Sequence, residues 1–382
     1  MERPRRRIGG LVASVALAAG GLIPPSVSAG PSQGGFSSDN VEWVAHIPFQ
    51  VGTATGAKVV GKYLYVTSWR EFSIYDLSDP LDPELLSTTP FGFKFENEDV
   101  ATNGEIMLFS ETIPQQILHI WNIEDKSNPV EIGQLGEGAG DHTTECILDC
   151  KFGYGSEGSV SDLRNPAKPK LLGNYFEDQP GGTDDAHDVN EVAPGRVLTS
   201  SQPILLLDAR ENQVHPKVLA VADDEKITGG IHSNRWPNEG KDSIVLFSSE
   251  SNATGRCGED NGDFMTWDGS DWKKSHSLKL LDIYELSNGV WADGAPGVNG
   301  LGCSAHWFQE HPAFRNGGLV ALGSYEHGTR FVDIAPTGKI KEIGWFVPHA
   351  GSTSAAYWMT DRLVYAVDYS RGIDILRYTG KF

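Results

Sequence analysis

Four histidines stand in matching surroundings. The stretches "GDHTTE", "DAHDVNE", "GGIHSNR" and "CSAHWFQ" place His142, His187, His232 and His306 each at what reads as the start of a short strand. Neutral imidazole nitrogens suit divalent transition metals such as Zn, Cu, Mn or Fe. Ligands supplied by separate rigid units would leave coordination positions open to an exchangeable partner. In one further unit the same place reads "ENEDVA", with Glu98 and Asp99. The competing reading is structural, with each ring hydrogen-bonding a neighbouring unit and holding a loop. His349, in "FVPHAGSTS", is a reserve ligand, whereas His215 and His311 precede prolines and read as turn residues.

A second set carries possible acid–base and anion chemistry. Setting "GSYEHGTRFVD" over "VDYSRGIDILR" pairs Tyr325 with Tyr369 and His327 with Arg371, and "TSWREFSIYD" puts Arg70 in the same slot. A guanidinium fork matches a carboxylate. Arg70, Arg371 and Tyr369 are therefore expected to bind an anionic small molecule or acidic sugar, with Tyr325 or His327 as acid or base. That arrangement would suit proton abstraction next to a carboxylate. Alternatively, the arginines pair with local acids such as Glu71 and Asp374.

These residues need a frame, and the chain supplies one by repeating itself. "FSIYDLSDPLDPELLSTTPF", "LHIWNIEDKSNPVEIGQLG", "GSVSDLRNPAKPKLLGNYF" and "PILLLDARENQVHPKVLAV" each run from an alternating strand ending in Asp or Asn, through a Pro-rich or polar turn, to a second strand. The landmarks Asp76, Asn122, Asp162 and Asp208 are followed by Asp282, Asp333 and Arg377, giving seven copies. Units of about 40 to 50 residues made of short alternating strands are propeller blades. The expected fold is thus an all-β, seven-bladed β-propeller over residues 41–382 with four strands, A to D, per blade. The last unit stops after its third strand, and "VEWVAHIPF" from 41 resembles an outer strand without a blade before it. Joining the two closes the ring and removes open sheet edges.

The segments "IYDLSDPLDP", "FVDIAPTG" and "YSRGIDILR" resemble the LVIVD-repeat family of exported bacterial β-propellers, with the likeness extending over residues 41–379. The resemblance implies a propeller and says little about chemistry, because one fold hosts many functions.

Residues 1–29 run from a basic cluster through an apolar stretch to small residues, the layout of a signal peptide. A flexible segment over 30–40 would follow, and the protein is expected outside the cell. The formal charge is -20, and the leader holds four arginines against one glutamate, so its removal makes the chain more acidic still. Nucleic acid is excluded as a partner by this charge, and no stretch is long and apolar enough for a membrane span. Four cysteines in an exported chain imply disulfides. Cys146 and Cys150 should face each other across the A–B hairpin of blade three, and Cys257 with Cys303 would tether an insertion at about 250–277 in blade five. Trp267 and Trp272 would make that insertion a lid. "GEDNGD" within it lacks a full calcium loop, and no GxSxG elbow, P-loop or HExxH motif occurs.

Two functions remain open. One is a metal-dependent enzyme acting on an anionic small molecule or acidic sugar. The other is a noncatalytic propeller binding a protein or glycan on its upper face, with structural histidines.

Overall fold

The computed structural model describes residues 34–48, 54–94, 98–113, 115–136, 138–177, 179–180, 183–227, 230–250, 262–286 and 302–381. Seven antiparallel sheets form in chain order. Blade one consists of strands Ala54–Val60, Tyr63–Ser68, Glu71–Asp76 and Glu84–Pro90. Blades two to five span 101–135, 144–174, 189–222 and 230–284, and blades six and seven begin at Phe308 and Thr353. Strands B and C are the apolar ones and lie buried, as in "IVLFSS" and "ILLL", because both of their faces meet adjoining blades. Between blades four and five, for example, Leu198 and Leu206 pack with Val245, Phe247, Met265 and Trp267. Each such side chain contributes about 1.5–3 kcal/mol on full burial.

The landmark acids have a physical role at the end of strand C. Asp76, Asn122, Asp162 and Asp208 each accept, through a side-chain oxygen, the backbone N–H two residues on. This Asx turn ends the strand and starts the C–D connection. In blade five the residue with that bond is Asp268, which accepts from Ser270 at 2.8 Å. Phe264–Asp268 is accordingly strand C, and Lys279–Tyr284, which carries Asp282, is strand D. The expected insertion at 250–277 is therefore corrected. Its second half is a core strand and a single helical turn, Trp272–Ser275, while 251–261 lies outside the described residues.

Closure follows the expectation. Val41–Pro48 pairs antiparallel with Gly372–Tyr378 and supplies the fourth strand of blade seven. The residues ahead of it are not a flexible lead-in throughout, because Gly35–Ser37 pairs with Ile340–Pro348 and gives blade six a fifth strand. The approach is close enough that a Cβ on Gly35 would lie 2.1 Å from the Val347 carbonyl oxygen. Among the described residues no helix is long and apolar enough to cross a membrane.

Removing residues 1–48 should therefore open the outer edges of blades six and seven together. The expected loss exceeds about 4 kcal/mol, beyond what single substitutions usually cost, and thermal unfolding followed by circular dichroism checks it. An unchanged melting temperature would mean that the N-terminal strands do not hold the ring shut.

Candidate metal centre

The four histidines converge on the axis. His142, His187 and His306 lie two residues ahead of strand A in blades three, four and six, and His232 lies within strand A of blade five at a bulge between Ile231 and Ser233. Successive ring centroids are 4.3, 3.9 and 4.1 Å apart. The His142 and His187 Nε2 atoms are 2.9 Å apart. Glu98, immediately ahead of blade two, points its Oε2 into the same space, 3.8 Å from His142, 3.5 Å from His232 and 3.4 Å from His306. Glu250, the last residue of strand B in blade five, brings Oε2 to 3.6 Å from His187 Nε2. His232 and His306 are fully buried, whereas the His142 and His187 side chains are partly exposed and mark the open side.

Surrounding groups fix these donors. The His306 Nδ1–H donates to the Ser354 carbonyl at 2.7 Å, a group that can only accept, so in the neutral ring the Nε2 lone pair faces the site. The His306 carbonyl in turn accepts from Ser248 and Ser233. Tyr369 donates its phenol to Glu98 Oε1 at 2.6 Å, and Tyr325 donates to Glu250 Oε1. Tyr325 reaches that position with φ at 45°, a left-handed conformation that costs an aromatic residue about 1–3 kcal/mol. Gly56 admits the Glu98 backbone, since a Cβ there would lie 1.7 Å from the Glu98 carbonyl oxygen.

Burial and neighbouring charges shift these groups in different directions. Burial, with the charges of His232 and His142, holds His187 well below the ordinary imidazole range. Burial and the charge of His306 lower His232. Burial opposes ionisation of Glu98, but His306, His232 and His142 outweigh it and hold the carboxyl well below its ordinary range. At His306 burial is outweighed in the same way, by Glu98 and Glu250, and the ring is raised. Among the described residues, both nitrogens of His232, Nε2 of His306 and Oε2 of Glu98 are buried without a hydrogen-bond partner. His232 Nε2 and His306 Nε2 thus meet Glu98 Oε2 without a well-formed hydrogen bond, an arrangement that an ion between them would satisfy.

The other expected site residues take different places. Arg371 donates to Asp374 at 2.9 Å, and that carboxylate also binds Trp43 Nε1 and His46 Nδ1 from the closing strand. Arg70 is exposed with its guanidinium over Phe93. His327 is buried, and burial with the Arg330 charge pushes its imidazole down to about 4, so it is not a cation at neutral pH. Arg371 is thus committed to Asp374, and His327 brings no positive charge to an anion. Tyr325 and Tyr369 instead orient the two carboxylates, and burial beside Glu250 raises the Tyr325 phenol well above its ordinary range, which keeps it a donor rather than a base.

His349 is exposed against Phe36 and stands apart from the cluster. His311 binds the Asp361 carbonyl, as a turn residue would. Trp267 lies buried in strand C, and Trp272 packs on Trp236 beyond it, on the face away from the histidines, so neither is a lid. Cys146 and Cys150 are bonded across the A–B hairpin as expected. Cys303 is also disulfide-bonded, while Cys257 lies outside the described residues. A cavity of about 350 Å³ opens on that opposite face, lined among others by Lys58, Asp99, Glu145 and Arg235.

Glu250 was not apparent from the sequence, because the end of a B strand carries no repeated signal. Glu98 was visible only as the acid occupying a histidine's place.

The sheets and the axial cluster define a seven-bladed β-propeller with a histidine- and carboxylate-lined face. The LVIVD repeat matches residues 51–89, a stretch that takes in most of blade one. No curated protein matches the chain. Among solved structures it is similar to the β-propeller domain of Cps50 (Swd1) from Myceliophteria thermophila, at 13% identity and a TM-score of 0.59, covering 88% of this chain and 99% of that one. The WD40 repeats of RRP9 are similar at 11% identity and a TM-score of 0.61, covering 90% and 98%. At such identities the likeness is one of fold.

The Arg371–Asp374 pair predicts that Arg371→Ala acts on stability. Stripping one partner from a buried pair costs about 3–5 kcal/mol, and because Trp43 and His46 remain on Asp374 the lower end is expected. Denaturant titration checks this. A variant as stable as the parent but with weakened carboxylate binding would restore Arg371 to a ligand site.

Proposed function

We propose that this chain is an exported β-propeller that holds a divalent transition metal, of the Zn, Cu, Mn or Fe class, and presents it to an anionic small molecule or acidic sugar. His142, His187, His232 and His306 would hold the metal with Glu98, and Glu250 stands beside them. The observation that carries this reading is the convergence of imidazole nitrogens from separate blades on one buried carboxylate oxygen, with His142, His232 and His306 at 3.4–3.8 Å from Glu98 Oε2. Bonds of about 2.0–2.1 Å place the donors of a tetrahedral ion about 3.3 Å apart. Such a metal supplies Lewis acidity and an activated water.

The metal would also be the positive charge on an acidic protein to which an anion is drawn, a role the arginines do not fill. This chain's residues hold the donors and orient the carboxylates through Tyr325 and Tyr369. The partial exposure of His142 and His187 leaves an approach for the ligand. Export is supported by the basic, apolar and small-residue order of residues 1–29 and by the Cys146–Cys150 bond.

A second reading has its own observation. The 2.9 Å contact between His142 and His187 and the approach of Glu98 to His306 would also serve a metal-free, proton-bridged cluster in a propeller that binds a protein or glycan partner. Metal analysis of tag-free protein separates the two. Retention of at least one equivalent is expected, with His187→Ala and His232→Ala each lowering the retained metal while remaining folded. Because Tyr369 orients Glu98 through its hydrogen bond, Tyr369→Phe is expected to weaken metal affinity about 10–100-fold. Protein that is metal-free and takes up no Zn, Cu or Mn, with the histidine variants losing only melting temperature, decides for the second reading.

A further inference from the structure

The cluster holds more donors than one ion can use where they stand. Its donor atoms form triads within 4.8 Å: Glu98 with His142 and His187, Glu98 with His232 and His306, and Glu250 with His187 and His232. Among the described residues no fourth donor joins any triad at that limit. A single ion with bonds of about 2.05 Å keeps even opposite octahedral donors within about 4.1 Å of each other. Four imidazoles on one ion would thus form a tighter group than these do, while each triad has the span of one coordination sphere.

Two of the triads divide the imidazoles into pairs on either side of Glu98. Tyr369 occupies Oε1 of that carboxylate, which leaves Oε2 as the atom facing both pairs. His142 and His187 at 2.9 Å have the spacing of adjacent octahedral donors, about 2.9 Å for the same bond length.

We infer that the centre takes two divalent first-row ions, one on His142, His187 and Glu98 and the other on His232, His306 and Glu98, with Glu98 Oε2 shared between them. Glu250, held by Tyr325, stands beside the two sites, within reach of His187 and His232, and adds its charge to the centre. The inference rests on the metal-binding reading above and adds the number of ions. It also narrows the ligand class. Six donors with two carboxylate charges leave two dications with an excess of two positive charges, which an oxyanion of the phosphate or carboxylate type neutralises by bridging both. Paired ions about 3.5–4 Å apart suit such an oxyanion.

The test uses the full exported chain without a histidine tag, stripped and titrated with Mn(II). Elemental analysis and calorimetry are expected to give two equivalents, and electron paramagnetic resonance an exchange-coupled signal. His142→Ala, at a partly exposed ligand, is expected to bind one equivalent and to give the six-line spectrum of an isolated ion. Saturation of the parent at one equivalent with an isolated-ion spectrum overturns the two-ion inference and leaves the metal reading intact. No uptake of any ion removes both. Should His142→Ala fail to fold, the stoichiometry and coupling of the parent decide the question alone.

Discussion

The structure turns on one buried charge. Glu98 is 6% exposed, and its carboxylate lies beside the propeller axis among imidazoles rather than in water. Burying an ionised carboxylate costs several kcal/mol unless positive charge and hydrogen bonds compensate. Tyr369 supplies one bond to Oε1, and the remaining oxygen faces three imidazole nitrogens. Positive charge must therefore reside in the cluster, either as protons on the rings or as metal. Protons meet resistance at His187 and His232, where burial and neighbouring rings oppose ionisation, whereas at His306 the Glu98 and Glu250 charges favour a proton. Metal satisfies the same electrostatic demand and uses the nitrogen atoms that would otherwise be orphaned.

Holding five such donors together requires a frame that cannot relax. Each donor comes from a different blade, so the site exists only if the ring is closed. The closing strand does more than complete a ladder. Bonds from the Trp43 indole and the His46 ring meet at Asp374, and Arg371 neutralises that carboxylate from the same blade. A second clasp at Gly35–Ser37 ties the chain to blade six. The positioning of Glu98 depends likewise on blade one, because only the absence of a side chain at Gly56 lets the Glu98 backbone approach. Fold and site are thus coupled through a few close backbone contacts.

Much of this was legible in the sequence, for physical reasons that also mark where reading fails. Strand alternation and the acid that ends strand C repeat because every blade needs the same turn. The histidines stood out because a ring at the same register in four blades must point the same way. Blade five was misread because "LKLLDIYEL" alternates as well as a third strand does, while the actual third strand, "FMTWD", sits beside a Gly- and Asp-rich stretch that reads as loop. The Asx turn at Asp268 resolves the register, but Asp282 has an equally suitable side chain in sequence. The arginines were placed in the right hairpins. For Arg371 the competing reading, pairing with the local acid Asp374 three residues on, is the one seen in the structure, where that acid is buried beside it. Glu250 carried no repeated pattern and required three-dimensional proximity to be seen.

X-ray absorption at the zinc edge of the reconstituted, tag-free protein tests the central claim most directly. The account predicts a first shell of nitrogen and oxygen at about 2.0–2.1 Å with the outer-shell scattering of several imidazoles, and a decrease of bound zinc in His232→Ala. A first shell of oxygen alone, without imidazole scattering, would contradict it.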